Sequence, residues 1–393
     1  MTGSETVPDA APARSSIGAL VRRGLVVGTI LLLLAGLPGW TLLAAGADWP
    51  RAVVVVGGLI FAAAAAAPIA LFSGLGRRSD RLMALGTTVL GVLWVLFVWS
   101  VLGQLLGLAM LLIGIDNPIR ARVVASVVVA VSALLLGWGF VAAMRVPQVV
   151  RRDVVLDRLG RRLDGLQVAL ITDTHFGPIN RARWSAGVVA KLNQLDADIV
   201  CHLGDIADGA VGRRQPQAAP LADVRARLAR VYVTGNHEYF SDAQDWLDYM
   251  AEIGWTPLHN RHLLVRRGVD GLVIAGIDDA TAAGSGVPGH GASLATALAG
   301  SHRDLPVLLL AHQPKQVVAA AAIGIDLQVS GHTHGGQIWP FNFLVRLDQP
   351  VVHGLSRHGP RTQLYTSRGT GFWGPPFRIF APSEITLLTL RRP

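Results

Sequence analysis

Two different apolar patterns divide the chain. Between residues 24 and 144 the apolar positions form long blocks, 25–47, 52–72, 82–115 and 123–144. A helix of about 20 apolar residues crosses the hydrocarbon core of a bilayer, so these blocks predict four transmembrane helices. After residue 145 the apolar runs shorten and alternate with stretches of helical spacing. Strands are predicted at 149–156, 168–172, 198–203, 231–234, 272–277, 307–311, 327–330, 365–367 and 385–390. Helices are predicted at 184–195, 221–229, 242–253 and 315–322. That alternation predicts a layered α/β domain over residues 145–393, preceded by an all-α membrane region.

Residues 1–23 form a tail whose first 16 positions are rich in Pro, Ser, Thr and Ala, and it is expected to be disordered. The first apolar block has the length of a signal peptide, but three more blocks follow it, which favours an anchor. The third block is longer than one span needs. It reads as one tilted helix or as two helices broken near 100–103. Positive charge bears on that choice. Arg14, Arg22 and Arg23 precede the first block, Arg77, Arg78 and Arg81 lie between the second and third, and Arg145, Arg151 and Arg152 follow the fourth. The other two connections are less basic, with Arg51 beside Asp48, and Arg120 and Arg122 beside Asp116. Four spans with both ends in the cytoplasm satisfy every loop, which places the C-terminal domain on the cytoplasmic side of a plasma or inner membrane. No ionisable residue sits in the middle of a block, so the membrane half reads as an anchor or a lipid-facing platform rather than a transporter. The Ala62–Ala67 run and the many glycines suit close helix packing.

Composition sharpens this picture. Of 393 residues, 51% are hydrophobic, high for a purely soluble chain, while all 12 histidines lie after residue 150. The single cysteine, Cys201, excludes an internal disulfide. The net charge is +9, carried almost wholly by Arg, yet no basic stretch interleaved with aromatics lies outside the membrane flanks, and no nucleic-acid partner is expected.

The histidine-bearing half holds five short segments in fixed order: Asp173-Thr174-His175, Gly204-Asp205, Gly235-Asn236-His237-Glu238, Ala311-His312 and Gly331-His332-Thr333-His334. Each falls just past the C-terminal end of a predicted strand, where α/β folds build their sites. Carboxylate, imidazole and amide oxygen are ligands that hold two divalent cations side by side, and such a pair hydrolyses phosphate esters. Glycines at 204, 235, 331, 335 and 336 let backbone approach a metal or substrate. Cys201 and His202 read as core. His259, His262, His290, His302, His353 and His358 have no motif context. Arg368 is placed either to reach a phosphate or to serve structure.

In order and spacing the five segments resemble the calcineurin-like metallophosphoesterase superfamily over residues 150–393. Gly331-His332-Thr333-His334-Gly335-Gly336-Gln337, Ser367-Arg368-Gly369-Thr370-Gly371 and Pro382–Leu388 resemble its membrane-linked branch, typified by the bacterial phosphodiesterases YaeI and YkuE. The resemblance implies a four-layer αββα sandwich. It implies that Asp173, His175 and His334 hold a first metal, that Asp205 bridges two metals, and that Asn236, His312 and His332 hold the second. The pair would be Mn, Fe or Zn. His237 would be the catalytic residue, stabilising the transition state or protonating the leaving oxygen. Glu238 would lie behind it, orienting His237 or a ligand, or else sit on the surface at a helix start. Thr333 would be a spacer between ligands.

The expected activity is hydrolysis of a phosphodiester or pyrophosphate by a metal-activated hydroxide, on a lipid-linked substrate at the bilayer surface. A soluble-nucleotide phosphodiesterase and a non-catalytic membrane sensor are the alternatives. The segments 209–220 and 281–291 are expected to be loops that border the pocket.

Overall fold

The computed structural model describes residues 17–72, 79–179, 182–302 and 304–393. The tail through residue 16, with Arg14, and the basic pair Arg77 and Arg78 lie outside the described residues. Among the described residues, four helices are long and apolar enough to cross a membrane. They are α1 (Ile17–Gly39, continued by a π-helical turn at Trp40–Ala44), α2 (Arg51–Phe72), α3 (Asp80–Leu112) and α4 (Ile119–Met144). Helix α1 begins at Ile17, so residues 17–23 are helical rather than part of the tail. The third apolar block is one unbroken helix of 33 residues, on the order of 50 Å long. That exceeds the roughly 30 Å hydrocarbon core.

The chain forms two compact units, and they do not divide at residue 145. One takes the residues up to Ala67 and Leu96–Ala130; the other takes Pro68–Val95 and Val131–Pro393. In the first unit Met110, Val124 and Val128 pack with Leu42, Leu96 and Trp99. Inside it, Gln104 donates to the Thr41 hydroxyl at 2.8 Å, so the one amide in these spans has a partner. Helix α2 stays largely exposed within the unit, with Ala62, Ala63 and Ala66 exposed.

The second unit holds two mixed sheets. Their elements in chain order are β1 (Gln148–Val155), β2 (Gln167–Ile171), α5 (Ala182–Asn193), β3 (Ile199–His202), α6 (Val211–Ala218), β4 (Ala229–Tyr232), α7 (Asn236–Tyr239), α8 (Ala243–Glu252) and β5 (Thr256–Pro257). Then follow β6 (Arg261–Arg267), β7 (Asp270–Gly276), α9 (Leu294–Ala297), β8 (Val307–Leu310), α10 (Val317–Ala322), β9 (Leu327–Ser330), α11 (Phe341–Val345), β10 (Gly354–His358), β11 (Thr362–Thr366) and β12 (Glu384–Arg391). One sheet has the order β1-β12-β2-β3-β4-β5 and the other β10-β11-β9-β8-β7-β6. The central pairs β2–β3–β4 and β7–β8–β9 are parallel.

Alternation along the strands sorts side chains by face. Val168, Leu170, Ile199 and Cys201 point into a core shared with Leu272, Ile274, Leu308 and Val329 of the other sheet. Their neighbours Ala169, Ile171 and Val200 pack outward on Val188 and Leu192 of α5 and Trp246 and Met250 of α8. On the far side Val273, Ala275 and Leu309 meet Ala297 and Ala320 beneath α9 and α10. The result is a four-layer αββα sandwich. The sequence placed nine of its twelve strands but missed β5, β6 and β10, which lie at the sheet edges. The segment expected as a loop at 209–220 is mostly helix α6. The helix expected at 221–229 is instead a 3-10 turn (Ala219–Asp223) followed by extended chain.

Candidate metal centre

All five motifs emerge from C-terminal strand ends at one edge of the sandwich. Asp173 follows β2, Asp205 follows β3, Asn236 follows β4, His312 follows β8 and His332 follows β9. The turns are sharp: Asp173, His175, Asp205, His332 and His334 all have φ between 41° and 70°. A left-handed backbone at five non-glycine positions is costly and persists where the surroundings over-determine it. Two glycines show how tight the corner is. A Cβ on Gly235 would lie 2.2 Å from Asp205 Oδ1, and one on Gly331 would lie 2.3 Å from Asp173 Oδ2.

The side chains gather in two groups. Asp173, His175 and His334 bring one ligand atom each to within 4.8 Å of one another, and so do Asp205, His312 and His332. The groups adjoin: His175 Nε2 lies 3.1 Å from His334 Nε2 and 3.6 Å from Asp205 Oδ2, which is itself 3.3 Å from His312 Nε2. Asp173 accepts the His332 backbone N–H at 2.9 Å, joining the β2 loop to the β9 loop.

The donor set fits cations. His312 Nδ1 donates to the Leu203 carbonyl at 2.7 Å, so its Nε2 turns toward the Asp205 carboxylate, and only a proton or a metal ion satisfies both atoms. His312 Nε2 and Asn236 Oδ1 are buried without a hydrogen-bond partner among the described residues. Buried polar atoms are nearly always paired, and a bound cation would satisfy both. Burial pushes the Asp173 carboxyl above its ordinary range, and it holds His332 neutral, down to about 3. Neutral imidazoles are the form that binds metal.

His237 does not join either group. Its backbone N–H donates to Asp205 Oδ1 at 2.8 Å, and its Nδ1 lies 2.8 Å from Asp208 Oδ1. Burial opposes its charging, but the Asp205 carboxylate and the bond to Asp208 outweigh that and lift it to about 9. The same Asp208 oxygen takes His175 Nδ1 at 2.9 Å. Burial alone would raise Asp208, yet the two imidazoles hold it well below the usual carboxylate range. Asp208 escaped the reading of the sequence; its signal was its place three residues past Asp205 on one loop.

Glu238 is fully buried, which removes the surface alternative. It accepts the backbone N–H groups of Asp205, Ile206 and Gly235 at 2.9, 2.8 and 2.6 Å. It therefore fixes the loop that carries Asp205. Arg378 was also missed, and nothing around it in sequence announces it. Wholly buried, it donates to the carbonyls of His334 and Arg368, both at 2.8 Å, and to that of Gly371. Arg368 lies 3.7 Å from Glu384 Oε2, the structural one of its two expected places. Thr333 donates to the Val352 carbonyl at 2.6 Å, as a spacer would.

Residues 166–336 match the family of calcineurin-like phosphoesterases. A metallophosphoesterase of Helicobacter pylori is 35% identical over 260 residues, covering 65% of this chain and 68% of that one. The chain belongs to the calcineurin-like metallophosphoesterases. The "Transmembrane protein with metallophosphoesterase domain" of Danio rerio is 36% identical over 285 residues, 70% of this chain. The chain spans 64% of the length of that relative. YkuE of Bacillus subtilis is 27% identical over 237 residues, covering 58% of this chain and 80% of that one.

Several histidines outside the motifs make structural contacts. Buried His202 lies 3.2 Å from the Thr174 hydroxyl. His259, Asp278 and His290 form a further cluster, but Asp278 already takes His259 and the N–H of Gly291, and His290 bonds Tyr239 and Gln244. The cavity over the metal corner, about 350 Å³, is lined by His175, Asp205, Asn236, His237, His332 and His334 and closed by apolar residues of α11. Neither 209–220 nor 281–291 lines it; the bordering segments are 336–349 and Trp373.

Proposed function

We propose that this chain is a dinuclear phosphoesterase, with Asp173, His175 and His334 on one cation, Asn236, His312 and His332 on the other, and Asp205 between them. The support is the pair of adjoining ligand groups, together with the buried, unpartnered Asn236 Oδ1 and His312 Nε2. Bound there, two cations would polarise a phosphoryl oxygen and lower the pKa of the attacking water. The chain's own residues do the rest. Glu238 fixes the Asp205 loop through three backbone N–H groups. Asp208 holds His237 Nδ1, which leaves Nε2 to donate a proton to the leaving oxygen.

The substrate is a phosphodiester or pyrophosphate carried on a lipid. The membrane helices confine the enzyme to a surface, which raises its effective concentration for substrates in the same surface. Four spans with basic flanks support a catalytic domain on the cytoplasmic face of the cell membrane. The test is hydrolysis of bis(p-nitrophenyl) phosphate by the full-length protein in detergent, with Mn²⁺ and with chelator. Chelator-sensitive turnover supports the reading. No turnover in folded, metal-loaded protein would contradict it.

A further inference from the structure

The apolar side of the metal cavity is too exposed to be a core. Helix α11, Phe-Asn-Phe-Leu-Val, has no buried residue at all. Phe341 is 37% exposed, Leu344 48% and Leu347 just beyond 84%. Contiguous apolar surface of this kind marks an interaction site in a soluble protein. Here its surroundings say what covers it. The Phe341 ring packs edge-to-face on Trp94 of α3 with centroids 5.7 Å apart, and Phe380 lies against Trp138 of α4 at 5.6 Å. Both tryptophans belong to helices long and apolar enough to cross a membrane, and both lie in the same compact unit as the metal corner. Tryptophan is the residue of the bilayer interface. The exposed face of α11 is thus continuous with a membrane-facing helix.

The cavity joins that face to the metal ligands. Its floor is His175, Asp205, Asn236 and His332, while Phe341, Leu344 and Val345 form its wall. A molecule that fills it must put a polar, anionic part on the floor and a hydrocarbon part along the wall. We propose that the wall formed by Phe341, Leu344 and Val345 receives the acyl chain of the substrate, which reaches the cavity from the bilayer past Trp94. This rests on the phosphoesterase reading and adds what grips the lipid. The enzyme then selects by chain length as well as by phosphate.

Water-soluble alkyl p-nitrophenyl phosphates, from methyl to octyl, measure this without a lipid surface. The probe is the ratio of kcat/KM for the octyl ester to that for the methyl ester, on the full-length metal-loaded protein. Burying a methylene is worth about fourfold at most, so partial burial of seven predicts a ratio on the order of 100. Leu344→Gln and Phe341→Ser should each bring the ratio down by about tenfold or more. Val269→Gln, on the exposed turn between β6 and β7, should leave it unchanged. A wild-type ratio near 1, with the methyl ester still hydrolysed, overturns the acyl wall and leaves the phosphoesterase reading intact. A high ratio that neither α11 variant lowers overturns the assignment to this wall. Failure to hydrolyse any ester with metals bound strikes the phosphoesterase reading itself.

Discussion

The metal corner and the apolar loops beside it are built on opposite rules. In the corner, charged and polar side chains are buried and their backbone is forced into the left-handed region. Across the cavity, on α11 and at Trp373, large apolar side chains stand exposed. Each inversion costs stability in an ordinary soluble protein. Together they underlie the proposal of a site that takes a charged group at one end and hydrocarbon at the other. On that proposal the corner sets the chemistry, and the apolar side sets where the substrate comes from.

Breaking the corner should have the largest effect. Asp205→Ala removes the carboxylate that lies between the two ligand groups, and turnover and bound metal should be lost together, read by assay and elemental analysis on one sample. Loss of turnover with full metal content would refute the bridging role. Next comes His237→Ala, expected to cut kcat on the order of 10²-fold while both metals stay. If the metals left with it, His237 would be a ligand rather than the proton donor.

Glu238→Ala tests the support beneath the corner. It strands three buried N–H groups, which should lower unfolding stability by at least about 2 kcal/mol in chelator-treated protein, measured by denaturant unfolding. An unchanged midpoint would mean that water replaces the carboxylate.

The smallest effects test how the corner is tied to the membrane helices. The Arg378 N–H donates to the Gly139 carbonyl of α4 at 2.9 Å, and a Cβ on Gly139 would come within 2.8 Å of Ile379. At Gly137, two residues away, a Cβ would meet nothing within 4 Å. Gly139→Ala should lower the melting temperature in detergent by a few degrees, about 1 kcal/mol, while Gly137→Ala should not lower it. Equal effects would deny that the helix seats the 375–380 loop.

That seat also shows where the sequence stopped being legible. Ligand identity and order were readable because metal chemistry admits few residue types, and strand ends were readable because buried parallel strands are short apolar runs. The edge strands β6 (Arg-His-Leu-Leu-Val-Arg-Arg) and β10 (Gly-Leu-Ser-Arg-His) hid because one flank faces solvent and carries charge. Helix α6 hid behind Pro216 and a polar composition. The unit boundary within α3 and α4 was invisible for another reason. A membrane helix that packs on protein for part of its length keeps the same apolar composition as one facing lipid throughout. Asp80 is an instance: it opens an apolar helix, yet it bonds Arg213 and the buried Arg214, whose Nε holds the Asp208 carbonyl at 2.9 Å.

The central claim is that two cations sit in the corner at once. Elemental analysis of the full-length protein, purified without chelator and dialysed against metal-free buffer, tests it most directly. The account predicts two divalent metals per chain and a loss of turnover that follows the loss of either one. One metal per chain at full activity, or activity indifferent to chelator, would contradict it.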